Sequence, residues 1–220
     1  MAIVGFLLKG FKTQFQQIFL KHFKELYGQI FQKQDATDNE VLWAICIFDD
    51  YLEFTGDLLV DTEGSALLNQ FLKFCYHSNS DIRQSAAYGL GLAAQFGDPS
   101  VFQSYLIQVC EALHYILSLP NAKSKELLVS SECAVGALAK AALFHKPDLV
   151  PEWLSWMPFK SDPEEARAIH SLFVKNIANL KNLEGASQVL AALANSKKEY
   201  MDEETWNMLP QAFSLFQINT

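Results

Sequence analysis

The sequence predicts an all-α chain, an α-α superhelix (α-solenoid) of about five stacked helix pairs, and three observations carry that prediction. Strand signals are almost absent, with no Asn-Gly or Asp-Gly hairpin turn and no sustained polar/apolar alternation. Polar turns near Thr37, Asn79, Asn121 and Asp162 recur at a spacing of roughly 40 residues. Alternate helical segments also differ in kind: one set is long and aromatic-rich, the other rich in small residues with a separate polar stripe. A symmetric helix bundle would not require that alternation.

Ala2 to Leu8 is apolar but lacks a basic lead and a small-residue cleavage site, so it reads as the tail end of a helix rather than a signal peptide. From Phe11 to Gln32, Phe11, Phe15, Ile18, Phe19, Phe23, Leu26, Ile30 and Phe31 keep helical spacing and predict one long outer helix. The polar turn that follows ends it. Thr37 or Asp38 caps an inner helix running to about Thr55 before Gly56. That helix carries Val41, Ile45, Phe48 and Leu52 on one side and Asn39, Trp43, Cys46, Asp50 and Glu53 on another.

An outer helix near Ser65 to His77 leads to the segment Ser78 to Gly97, the best bounded in the chain. Asn79 or Ser80 caps it, and Gly97 before Asp98-Pro99 stops it. Ile82, Ala86, Gly89, Leu90, Ala93 and Phe96 form its stripe for burial. Its many Gly and Ala residues predict a neighbouring helix at very close range. Setting Gly56 against Gly97 aligns this helix with the earlier inner one, so the chain repeats itself. Asp81-x-Arg83 at its start is the pattern of the second helix of a HEAT repeat, where such pairs form a ladder; a dipole-stabilising Asp and a surface Arg are the alternative.

Pro99 to about Leu119 predicts the next outer helix, and Lys123 to Phe144 an inner one with Leu127, Ser131, Ala134, Val135, Leu138 and Ala142 inward. Pro147 opens a short helix ending at Met157-Pro158, and Ser161-Asp162-Pro163 caps another running to about Leu180. Glu184 to Asn195 and Asp202 to Phe216 form the last pair.

The formal net charge of −8 argues against binding a nucleic-acid backbone and suits basic protein partners. Cys46, Cys75, Cys110 and Cys133 lie far apart within helical apolar patterns, as reduced thiols in or near a core. No run approaches the roughly 18 apolar residues of a membrane span. His22, His77, His114, His145 and His170 are scattered one per segment, and no phosphate loop, nucleophile elbow or metal-ligand spacing is present. The sequence therefore predicts no enzyme, no metal and no cofactor.

Three blocks go beyond a generic repeat: Leu42 to Asp50, Arg83 to Gly97, and Trp153-Leu-Ser-Trp-Met-Pro-Phe159 followed by Asp162, Glu164 and Glu165. In this order and spacing they resemble the C-terminal HEAT repeats of the importin-β (karyopherin-β) nuclear transport receptors, closest to the branch that imports ribosomal proteins and histones. The resemblance covers about Phe11 to Leu180. It implies that residues 1–220 are a single array, a fragment or truncated relative of a longer receptor that shuttles between cytoplasm and nucleus.

The same resemblance implies a concave face lined by second helices. There Trp43, Asp49, Asp50, Glu53, Tyr88 and Glu132 would meet basic cargo such as ribosomal proteins or histones. Crevices between outer helices would accept nucleoporin Phe-Gly repeats, and N-terminal repeats outside this chain would bind the GTPase Ran. A solvated helix face for Asp49, Asp50 and Glu53, and core filling for Trp43, are the alternatives. Trp153 and Trp156 are expected to staple two repeats together. A HEAT adaptor in a complex unrelated to transport is the second functional expectation, and uncapped ends predict self-association.

Overall fold

The computed structural model describes residues 2–55 and 62–217, and all regular structure among them is helical. The expected stop at Gly56 lies outside the described residues. The chain divides into two compact units, 1–145 and 146–220.

In the first unit, α1 (Ala2–Phe11), α4 (Asp38–Thr55), α6 (Ser80–Phe96) and α8 (Leu128–Phe144) form one row in which each helix packs on the next. The other row holds α2 (Thr13–His22) with α3 (Lys24–Ile30), then α5 (Thr62–Phe74), then α7 (Pro99–Ser118). Each member of the second row packs on the helix that follows it in sequence, and α5 also packs on α7. This stacking of neighbours upon neighbours is the all-α solenoid the alternation predicted.

The small residues of α6 work as expected. A Cβ added to Gly91 would lie 3.1 Å from Cα of Ala137 in α8, so the two backbones nearly touch. Ile82, Ala86, Gly89, Leu90 and Ala93 are buried. Phe96, the last residue of α6, departs from the stripe and is exposed.

The long outer helix expected from Phe11 to Gln32 is instead broken. Lys12 has a positive φ of 42° and ends α1, and a turn at Phe23 separates α2 from α3. A straight helix over residues 2–30 would extend about 40 Å and offer α4 only one stripe. The break lets Val4 and Leu8 be buried on one segment and Phe15 and Phe19 on the next. Phe19 stacks on Tyr51 at 4.7 Å and meets Phe48 edge-on at 6.1 Å. Phe11, Ile18 and Leu26 of the expected stripe are exposed.

The caps follow the sequence closely. Thr37 and Glu40 form a reciprocal capping box: the Glu40 amide donates to Thr37 Oγ1 at 3.3 Å, and the Thr37 amide donates to Glu40 Oε2 at 2.8 Å. Asn79 Oδ1 accepts from the Asp81 amide at 2.9 Å. Asp98 Oδ1 accepts from the Ser100 and Val101 amides at the start of α7.

In the second unit, a short 3-10 turn (Pro147–Leu149) leads into α9 (Val150–Trp156), followed by α10 (Pro163–Lys175), α11 (Ile177–Leu180), α12 (Ala186–Leu193) and α13 (Glu203–Gln217). Asp162 caps α10 as expected, its Oδ1 accepting from the Glu164 amide at 2.8 Å. The helix expected to reach Leu180 is interrupted at Asn176, whose side-chain amide donates to the Leu172 carbonyl at 2.8 Å. α10 and α11 both pack on α13.

Candidate functional site

α4 buries Val41, Ala44, Ile45, Ile47, Phe48, Tyr51 and Leu52, which leaves a narrow polar edge along its C-terminal half. On that edge lie Asp49, Asp50 and Glu53, with no basic residue in the last turn. Carboxylates at the negative end of a helix dipole oppose the helix rather than support it. A break of this kind with local preference marks a place where a requirement other than helix stability sets the residues.

Successive residues on a helix point roughly 100° apart, so Asp49 and Asp50 face different neighbours. Asp49 turns toward α6, where Oδ1 lies 2.5 Å from the position a Cβ on Gly89 would take, and the Phe71 ring crowds the same position at 2.6 Å. Asp50 turns toward α1, where its carboxylate occupies the space a Cβ on Gly5 would need. Each aspartate thus rests on a glycine of an adjacent helix. Glu53, one turn on, is exposed and accepts a hydrogen bond from Tyr88 Oη of α6 at 3.2 Å. Lys140 of α8 places Nζ over the Tyr88 ring, 5.0 Å from its centroid. Cys46 Sγ lies 3.7 Å from Ser85 Oγ.

Burial dominates the electrostatics. Asp49 is 5% exposed, Oδ1 has no hydrogen-bond partner, and desolvation holds its pKa well above the usual carboxylate range. Asp50 and Glu53 push it further up, and the Lys140 charge opposes them. Asp50 is half-buried and is pushed up to about 6, first by desolvation and then by Glu53, against the pull of Lys9. Both aspartates of the α4 edge therefore hold their protons to higher pH than an exposed aspartate does.

These positions correct part of the expected contact face. Trp43 and Glu53 are exposed, whereas Tyr88 and Asp50 are half-buried, Asp50 against Gly5 of α1. Asp49 and Glu132 are buried, at 5% and 3%, and do not present carboxylates outward. Asp49 is covered because α6 approaches at Gly89, and Glu132 because α8 is buried along its whole length from Ser130 to Ala142.

The expected Asp81–Arg83 ladder takes another form. Asp81 is exposed, whereas Arg83 is buried and its Nη1 donates to the carbonyls of His77 and Ser78 at 2.7 Å each. The link to the preceding repeat runs through Asn79, whose Nδ2 donates to Asp38 Oδ2 at 2.9 Å. Arg83 turns inward because the His77 and Ser78 carbonyls of the turn between α5 and α6 lie within its reach.

Trp153 is fully buried and meets Phe173 edge-on at 6.1 Å, while Trp156 is half-buried. The Trp153 contact joins α9 to α10.

Two contributors escaped the sequence reading. Lys140 is the lone charge in the run Gly136 to Leu143, a signal that it serves a specific partner. Lys9 lies just past Ala2 to Leu8, the stretch that reads simply as an apolar helix tail.

No group of three or more His, Cys, Asp or Glu side chains among the described residues is placed to hold a metal. No helix among them is long and apolar enough to cross a membrane.

Stacked helix pairs with a partly open, acidic and aromatic edge define the chain as an all-α helical-repeat scaffold. No family model matches it. Over 196 residues, 85% of its length, it is 22% identical to importin subunit beta-3 of Saccharomyces cerevisiae, a distant and partial likeness. The aligned part is 18% of that relative, so the chain spans less than a fifth of the length of the curated protein it matches.

Proposed function

We propose that this chain is a segment of an importin-β-type transport receptor, a non-enzymatic HEAT-repeat scaffold that binds proteins during nucleocytoplasmic import. The likeness to importin subunit beta-3 across 85% of the chain carries this reading. In it, the two compact units belong to one array. Glu53, Asp50, Trp43 and Tyr88 engage lysine- and arginine-rich cargo of the ribosomal-protein or histone type. Charged pairing at this edge steers and orients the partner more than it tightens the complex. Nucleoporin Phe-Gly repeats, shuttling between cytoplasm and nucleus, and Ran acting through further repeats belong to the same proposal.

The test is to immobilise the chain and measure binding of a lysine-rich histone-tail peptide across a range of salt. Binding should weaken steeply as salt screens the edge. Glu53→Lys should weaken it about tenfold, and a peptide with glutamine in place of lysine should not bind. Salt-insensitive binding, or none, would overturn the cargo reading.

The burial of Asp49 and Glu132 narrows the exposed acidic edge and favours a second reading, an adaptor held permanently in another complex. A stable, salt-resistant complex that Glu53→Lys leaves intact would support it.

A further inference from the structure

We propose that the exposed face of α7 is a docking surface for an extended segment of another protein that carries an arginine and, about three residues away, an apolar side chain. The arginine lies on the Tyr76–Tyr115 ring pair beside Glu111, and the apolar side chain lies on Ile107. This face belongs to the row of helices that does not contain α4, so the inference stands apart from the cargo reading of the α4 edge.

The first observation is placement. Ile107, Glu111 and Tyr115 follow one another at four-residue steps and so share one face of α7. All three are exposed, Ile107 at 72%, whereas Phe102, Leu106 and Leu113 of the same helix are buried.

The second is the aromatic pair. Tyr76, in the turn after α5, meets Tyr115 with ring centroids 4.7 Å apart, yet the two residues stay 49% and 38% exposed. Their mutual contact holds both rings in place before a partner arrives, so binding costs them little freedom.

The third is charge. α7 contains no lysine or arginine, Glu111 is its one acidic residue, and no cation among the described residues forms an ion pair with it. Desolvation raises the Tyr76 pKa most, and Cys75 and Glu111 raise it further, so the Glu111 carboxylate stands close to the ring pair. A carboxylate beside exposed aromatic rings suits a guanidinium, whose plane stacks on a ring while its N–H groups reach the acid.

Spacing and composition define the partner. At about 1.5 Å per residue, Ile107 stands about 9 Å along the helix from the midpoint between Glu111 and Tyr115, a span of about three extended residues. A second copy of this chain does not supply the arginine. Arg83 is buried, and Arg167, the other arginine in the sequence, donates from Nη1 to the Glu199 carbonyl at 2.7 Å.

The probe is the peptide Gly-Ser-Arg-Gly-Ser-Leu-Gly, titrated into the chain while NMR follows the ring resonances of Tyr76 and Tyr115. Both rings should shift. Citrulline in place of the arginine keeps its shape without its charge and should weaken binding about tenfold. Glu111→Gln and Tyr115→Leu should each weaken it about threefold. Glu53→Lys, on the α4 edge, should leave it unchanged.

The citrulline comparison uses the unaltered chain, so it carries the test whatever the two variants do to folding. Equal affinities for the arginine and citrulline peptides, or tighter binding of a Phe-Gly repeat peptide at the same rings, would overturn the arginine assignment. No shift of either ring at millimolar peptide would overturn the docking surface itself. Neither result touches the cargo reading, which is tested with the histone-tail peptide and Glu53→Lys.

Discussion

Gly91 of α6 faces Ala137 of α8 at a distance that leaves no room for a side chain between the two helices. The same added Cβ would lie 3.2 Å from Cδ of Lys140, so this one glycine also keeps space for the stem of the buried lysine. Gly91→Val should destabilise the chain by about 3 kcal/mol, the upper part of the usual range for overpacking. Urea unfolding followed by circular dichroism measures it. A loss near zero would mean that α6 and α8 can separate freely.

Asp49 supplies a prediction of opposite sign. Its folded pKa is raised above the unfolded value, so the folded state binds the extra proton and stability falls as pH rises above about 4, the ordinary range for aspartate. Asp49→Asn removes that titration and should stabilise the chain at pH 8, with no gain at pH 3. Thermal unfolding at the two pH values provides the comparison.

His170 behaves in the reverse way. It is fully buried, Nε2 accepts from the Phe159 amide at 2.9 Å, and Nδ1 lies 2.8 Å from the Tyr200 carbonyl. The neutral ring with its proton on Nδ1 satisfies both partners. Burial pulls its pKa down to about 4, so its contribution is complete above about 6.5 and is lost as pH falls from there to 4. The loss should approach about 3 kcal/mol. An imidazole NMR titration should find a midpoint near 4, and a midpoint above 6 would refute the assignment.

Arg83 links the turn after α5 to the start of α6. Arg83→Met keeps the apolar stem but leaves the His77 and Ser78 carbonyls without their donor. Two charge-assisted bonds at this depth predict a loss of about 3 kcal/mol in chemical denaturation. Asp81→Ala, at an exposed position, should have a much smaller effect.

The organisation of the first unit was legible because it rests on short-range signals. Thr37, Asn79 and Asp162 cap the helices they were expected to cap, since a capping side chain bonds amides two or three residues ahead. The close approach at Gly91 was legible as well, because only a near neighbour explains so many small residues on one helix. Periodicity hid the break at Phe23: the apolar stripe expected from Phe11 to Gln32 runs straight across it. Asp49, Asp50 and Glu53 were visible as a group, yet which of them faces outward was not.

Read by itself, the chain determined that it is all helical, where most of its helices start, which of them would pack at close range, and that one helix carries an acidic edge. Tertiary structure alone decided that Asp49 disappears beneath Gly89, that Asp50 lies beneath Gly5 and that Glu132 is buried. The physical reason is range. Caps and stripes depend on residues within a turn or two, whereas the exposure and protonation of a carboxylate depend on helices 30 to 90 residues away in sequence, whose approach no local pattern encodes.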